Sequence, residues 1–265
     1  MLPKFNVSPS LIKGYDQVDK GEMCGLFFKA SYIDKIVPFQ SSPAFIMGQW
    51  TEWKMTGALP RDGKEPVPET VKSGELNTQY KRLLNQAEIW KEYCKRNKIE
   101  NITTGRVLEY EFEGIKTKGI FDVDYIDTDG NFVIIDIKTS GYIDNKWEAM
   151  GWKDIENKKL LTIQAPKYVW LVNKVLNIPL EKIIFKFYVV HSNHDYERKI
   201  FNMKVLPSTF EWLEERIRFT VTQIEHNELL GWVSTTNYKH CVNCDLRENC
   251  SRRLFDPKEE NIYML

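Results

Sequence analysis

The chain carries no charge bias: 37 lysines and arginines balance 37 aspartates and glutamates, for a formal net charge of +0. A protein drawn to nucleic acid by its overall field has a basic excess, so any nucleic-acid groove here has to be a local basic patch. No apolar run approaches the length of a membrane span, and the opening residues MLPKFNVSPS lack a charged-then-apolar leader pattern. A cytoplasmic location without membrane association is therefore expected. Cysteines are few and odd in number, 5 in all, which argues against a disulfide framework. Cys241, Cys244 and Cys250 crowd together near the end of the chain, a spacing that suits metal ligation. No internal repeat is visible. What is present is 265 residues with 42% hydrophobic and 28% charged side chains, enough to bury a sizeable core as one large domain or a domain with an appendage.

Five stretches read as helices. Ser8 or Ser10 can cap one that runs to Asp19, and Ser41 or Ser42 can cap another with Pro43 in its first turn, where a missing N–H does no harm. The second would carry Phe45, Ile46, Trp50, Trp53 and Glu52. Residues 58–72, with three prolines and several charges, read as a surface loop. From Glu75 to Asn97, Leu76, Tyr80, Leu83, Ala87, Trp90 and Cys94 fall on one face at helical spacing, so Cys94 belongs to a packing stripe. Leu160 to Leu176 is helical apart from Pro166, which implies a start or a kink there. Pro207 to about Leu230 carries a last apolar face.

Strand-like runs occupy 106–113, 117–126 and 131–139, an expected antiparallel meander, with two more at 182–191 and 197–205. The connection between the last two holds His191 and His194, read more readily as loop histidines than as ligands. Asp129-Gly130 separates the second and third runs and predicts a tight hairpin turn with positive φ at both residues. Alternation puts Asp122 and Asp124 on one face of the second run, and Asp136 and Lys138 on one face of the third. Asp136 and Lys138 interrupt a segment, Phe132 to Ile137, apolar enough for a central strand. Desolvated carboxylates repel one another unless a cation or a lysine compensates them, which makes this hairpin a metal-site candidate. A calcium loop from Asp127 is excluded by a misplaced glycine and the lack of an acid at the twelfth position.

Gly119-Ile120-Phe121-Asp122, then Asp136-Ile137-Lys138-Thr139, then Gln164-Ala165-Pro166-Lys167-Tyr168 resembles the ordered motif series of the PD-(D/E)XK nuclease superfamily, in its RecB-like branch. Gly48-Gln49-Trp50-Thr51-Glu52 is similar to the opening motif, and the set covers about residues 42–175. The resemblance implies an α/β fold with a central mixed β-sheet flanked by helices, as in restriction endonucleases. It implies a metal-dependent DNA nuclease, most simply an exonuclease. Glu52, Asp122, Asp136 and the carbonyl of Ile137 would then hold Mg2+ or Mn2+, Lys138 would orient water or offset transition-state charge, and Gln164 and Tyr168 would position DNA or the lysine. Asp124 would stand behind Asp122. Residues 140–158, aromatic and lysine-bearing, would border DNA or form a solvated loop.

The tail needs a fourth ligand for its three thiols, and zinc could be completed by His240 or by Cys24. The spacing Cys-x2-Cys-x5-Cys with a lone cysteine far upstream resembles the iron-sulfur staple of AddB-type and CRISPR-associated RecB-like nucleases. That resemblance implies a 4Fe-4S cluster on Cys24, Cys241, Cys244 and Cys250, joining the two ends of the chain. The whole chain, 1–265, is then one nuclease domain: 42–205 the core, 207–231 a helix, and 1–40 with 232–265 the staple. DNA is the implied partner, with a separate helicase, recombinase or CRISPR-associated protein and a homo-oligomer both compatible. Two other readings remain open, a catalytically inactive DNA-binding or assembly subunit and a zinc-stabilised nucleic-acid adaptor.

Overall fold

The computed structural model describes residues 5–37, 42–60, 62–141 and 162–233, together with Cys241, Cys244, Leu246 and Cys250. Two compact units emerge, one from residues 41–213 and the other from both ends of the chain, residues 1–40 and 214–265. The loop expected at 140–158 and the zinc candidate His240 lie outside the described residues, apart from Ser140 and Gly141.

The larger unit is built on a five-stranded mixed sheet in the order β1 (Thr103–Phe112), β2 (Ile115–Ile126), β3 (Phe132–Ser140), β4 (Ile183–His191), β5 (Arg198–Met203). The first three strands form the expected antiparallel meander, β4 runs parallel to β3, and β5 is antiparallel to β4. A parallel neighbour requires a crossover, and the helix Gln164–Leu176 lies between β3 and β4 in the chain. This is the α/β architecture with a mixed sheet and flanking helices that the sequence led us to expect.

Helix α3 (Pro43–Thr56) starts where Ser42 accepts a hydrogen bond from the Phe45 N–H, with proline in its first turn, as its sequence predicts. Helices α1 (Pro9–Asp19) and α2 (Gly25–Phe28) precede it, α1 capped by Ser8. Helix α4 spans Thr78–Arg96 and not Glu75–Asn97, because the side chain of Asn77 takes the Tyr80 N–H and sets the start. Its stripe of Tyr80, Leu83, Ala87, Trp90 and Cys94 packs with Trp50, Val133, Ile135 and Tyr188 into a core on one side of the sheet. Each fully buried large side chain in that cluster contributes roughly 1.5–3 kcal/mol over its exposed state. The Cys94 thiol, deep in the stripe, is pushed up to about 11 by burial and so stays protonated.

Against β1, β2 and β4 packs α5, the crossover helix Gln164–Leu176. Pro166 is its third residue, where an N–H has no intrahelical acceptor, so the proline neither breaks nor kinks the helix. Close approach of α5 to β2 depends on Gly119: a Cβ there would stand 2.5 Å from Leu171 Cδ1 and 3.1 Å from Tyr168 Cδ1. Phe121 and Tyr168 meet across the same interface with ring centroids 4.8 Å apart.

The β2–β3 turn corrects one expectation. Only Gly130 has positive φ, at 76°. Asp127 governs the turn: its carboxylate accepts the N–H groups of Asp129 and Asn131, while its backbone N–H reaches the Asn131 carbonyl at 2.9 Å. The Asp127 side chain thus braces a turn that its own carbonyl also closes by accepting the Gly130 N–H at 3.1 Å.

In the smaller unit, Phe28 stacks on Tyr32 at 4.9 Å and meets Tyr15 and Trp232, each at 5.5 Å between ring centroids. A five-residue π-helical stretch, Lys29–Ile33, follows α2. The other half of the unit is supplied by α6 (Pro207–Leu230), whose N-terminal turns belong to the larger unit. Lys29 pairs with Glu228 at 2.9 Å, Asn227 donates to the Tyr15 hydroxyl at 2.9 Å, and the Gly25 N–H reaches the Val233 carbonyl at 3.1 Å. No described helix is long and apolar enough to cross a membrane.

Candidate active site

Three elements converge on the end of the β2–β3 pair. The ladder between these strands runs from Ile126↔Phe132 to Val123↔Ile135 and then stops. At the next position Asp122 turns its carboxylate onto β3 and accepts the Ile137 N–H at 2.8 Å, a donor that a continued ladder would have used. The strands part here, and the Asp122 side chain takes over from backbone pairing.

Asp136 is fully buried on β3. Its Oδ1 accepts from Gln164 Nε2 of α5, and the same amide donates to the Tyr168 hydroxyl at 3.2 Å. Starting α5 at Gln164 thus puts Gln164 and Tyr168, one turn apart, on the side facing Asp136. Asp136 Oδ2 has the Lys138 ammonium at 2.5 Å, a short charge-assisted contact. Lys138 keeps 34% of its side chain exposed, so the pair is reached by solvent from one side.

The electrostatics bring Glu52 of α3 into the same group. Asp122 has its carboxyl raised well above the ordinary range, first by burial, then by the negative charges of Asp136 and Glu52, with Lys138 and the Ile137 N–H opposing. Asp136 is raised too, by burial, against the lowering effect of Lys138 and Gln164. On Lys138 the three acids more than offset burial, and its ammonium is held above its usual value. Asp136 contacts the Lys138 ammonium and the charges of Asp122 and Glu52 reach it, so three acids act on one lysine and leave an excess of negative charge. That set fits a hard divalent cation.

Asp124 does not join the group. It is buried against Arg106 of β1, whose Nε lies 2.9 and 2.8 Å from its two oxygens. The two motif glycines also differ: a Cβ at Gly119 would collide with α5, whereas at Gly48 it would meet nothing within 4 Å. Sequence reading overlooked Lys167, which is wholly buried on α5 with its amine pushed down to about 7 by burial. Its only sequence signal was its place between Pro166 and Tyr168.

A family model for the PD-(D/E)XK nuclease superfamily matches residues 16–251. The chain belongs to the PD-(D/E)XK nuclease superfamily. Members of this superfamily are nucleases that work with divalent metal ions, and carboxylates such as those acting on Lys138 are the kind of oxygen ligand such ions take. Among solved structures, the chain is similar to a candidate exonuclease from Eubacterium rectale, with 19% identity and a TM-score of 0.61 over 98% of this chain and 94% of that one. At that identity the likeness establishes the shared fold. SSO0001 is a more distant match, with 16% identity and a TM-score of 0.36 over 66% of this chain and 72% of its own. No curated protein matches the sequence.

In the smaller unit, Cys24 precedes α2 and Cys244 is half-buried. The Cys244 thiol is raised, first by burial, and the thiols of Cys24, Cys241 and Cys250 raise it further. Cys24, Cys241 and Cys250 therefore each lie within electrostatic reach of Cys244.

The raised carboxyls set a pH dependence. Between the ordinary carboxylate range near pH ~4 and the higher values of folded Asp122 and Asp136, the native state holds more protons than the unfolded chain. Stability of the metal-free protein should fall as pH rises through that window. Mg2+, which favours the ionised carboxylates, should offset the loss. Thermal melts across this range with chelator and with Mg2+ check it, and Asp122→Asn should flatten the chelator slope.

Proposed function

We propose that the chain is a metal-dependent deoxyribonuclease acting from DNA ends, an exonuclease serving recombination, repair, phage replication or CRISPR adaptation. The observation that carries this is the Asp136–Lys138 ion pair beside Asp122, with Glu52 acting on the same lysine, an arrangement a binding module does not need and a phosphodiesterase does. Glu52, Asp122, Asp136 and the carbonyl of Ile137 would hold Mg2+ or Mn2+, which when bound supplies an activated water and offsets charge on the phosphate.

The protein's own groups prepare that chemistry. Gln164 fixes the rotation of the Asp136 carboxylate, and Asp122 is fixed by the Ile137 N–H. Lys138, anchored on Asp136 and open to solvent, presents its ammonium to a phosphate oxygen and stabilises the charge that builds there. Tyr168, buried and hydrogen-bonded to Gln164, holds that amide in place. Acting from ends is supported by the fold shared with the Eubacterium rectale protein.

Cys24, Cys241, Cys244 and Cys250 would hold a 4Fe-4S cluster in the smaller unit. The reading is supported by three thiols within electrostatic reach of a fourth, Cys244; four thiolates would suit iron-sulfur or, as the alternative, zinc.

The test is digestion of end-labelled single- and double-stranded DNA, linear and circular, with Mg2+ or Mn2+, using anaerobically purified protein. Loss of linear DNA with survival of circles is expected. Equal attack on covalently closed circles would make the enzyme an endonuclease, and no cleavage with either metal would leave a DNA-binding or assembly subunit.

A further inference from the structure

The turn between β4 and β5 gathers a second set of ligating side chains. His191 ends β4 and is buried, His194 is exposed at the turn, and Glu197 immediately precedes β5. One donor atom from each residue lies within 4.8 Å of the others. The two imidazoles stand edge to face with centroids 4.4 Å apart. His191 Nε2 is 3.9 Å from Glu197 Oε2, too long for a hydrogen bond. Ligands of one tetrahedral ion, each about 2.0–2.2 Å from it, stand roughly 3.4 Å from one another. The spacing is closer to that of shared ligands than to that of a bonded pair.

The scaffold under these side chains is held from several directions. Gln86, wholly buried on α4, donates through Nε2 to the carbonyls of His194, Asp195 and Glu197 at 3.2, 2.9 and 3.1 Å. Asn85 donates to the Asp195 carboxylate, and Gln79 to the Asn193 side chain. The His191 N–H closes the hairpin onto the Glu197 carbonyl at 3.0 Å. A short, pinned turn offers its ligands with little left to order. An edge-to-face histidine pair can also be simple packing, but His194 is exposed and buries little apolar surface by pairing.

We infer that His191, His194 and Glu197 bind a borderline divalent transition metal of the zinc class. Two imidazoles and one carboxylate suit Zn2+ or Co2+ far better than Mg2+. The inference is independent of the nuclease reading. His191 pairs with Ser140, two residues beyond Lys138 on the adjoining strand. One rearrangement comes with it. In the metal-free turn the Asn193 N–H donates to His191 Nδ1 at 3.0 Å, which places the ring proton on Nε2. A metal at Nε2 moves that proton to Nδ1, where it opposes the Asn193 N–H, so this contact must open. The Asn193 side chain also donates to the Gly141 carbonyl at 3.1 Å, and the end of β3 should sense the change.

The experiment is equilibrium dialysis against Zn2+ in excess Mg2+, comparing wild type with His194→Ala and Glu197→Gln, all with the cysteines intact. Each variant should hold one Zn2+ fewer per chain, and Zn2+ should shift the Asn193 amide resonance in wild type alone. Co2+ should add a visible band without sulfur charge-transfer that both variants lack. Circular dichroism confirms that the variants fold, as expected for an exposed histidine and a partly exposed glutamate. Equal zinc content and affinity in the three proteins would overturn the site.

Discussion

Replacing Lys138 with alanine should lower DNA cleavage by roughly 100- to 1000-fold, the usual loss when one preorganised donor to transition-state charge is removed. The fold should survive, because the side chain is 34% exposed and its close partner among the described residues is the Asp136 carboxylate. Binding of the catalytic ion should not weaken. Glu52, Asp122 and Asp136 remain, and without the ammonium among them their field for a cation strengthens. The signature is therefore a fall in kcat with an unchanged or lower Mg2+ requirement. A purely structural role for Lys138 would instead lower the melting temperature and leave kcat of the surviving protein intact. Lys138→Arg should restore the charge but little of the rate, since a planar guanidinium cannot place its donors where a compact ammonium does. Turnover equal to wild type in Lys138→Ala would remove the lysine from the chemistry and the proposed mechanism with it.

The residues of this site were legible because they break a rule. Asp136 and Lys138 stand in a strand whose other members, from Phe132 to Ile137, are all buried, and charges in such a run need a compensating reason. The meander was legible from alternation, and the starts of α1 and α3 from Ser8 and Ser42. Local signals failed where a distant or unexpected side chain decided the outcome. Alternation placed Asp124 beside Asp122, but its partner, Arg106, sits on another strand and is positioned by tertiary pairing alone. The Asp129-Gly130 turn is braced by the Asp127 carboxylate, an acceptor that a dipeptide rule does not contain. His191 and His194 read as loop residues for the same reason: nothing in their spacing reveals Glu197 across the hairpin or Gln86 beneath it.

With the proposed cluster in place, Cys250→Ser should cost the protein that iron and about 2–5 kcal/mol of stability in the smaller unit, the range for losing a native cross-link. For a chain of this size that is a drop of roughly 5–15 °C in its melting temperature. The reasoning begins with connectivity. Cys24 and Cys241 lie at opposite ends of the chain, so ligands to one cluster close a loop through the whole larger unit, and the entropy saved in the unfolded state grows with the logarithm of that length. Serine keeps the volume but offers no thiolate, so the loss is of ligation and not of packing. The two ends are also held by Lys29–Glu228, by Gly25 on Val233 and by the Phe28 aromatic cluster, which is why loosening and not unfolding is expected. Hydrogen exchange should quicken around Cys24 and Trp232. Cys94→Ser is the control: its thiol is neutral and buried in the α4 stripe, so that variant should lose stability through the core yet keep all its iron. Zinc in place of iron in wild type would transfer the same four ligands to the other metal. Full iron and an unchanged melt in Cys250→Ser would dismiss the cluster, because no other residue among its proposed ligands could replace the missing thiolate.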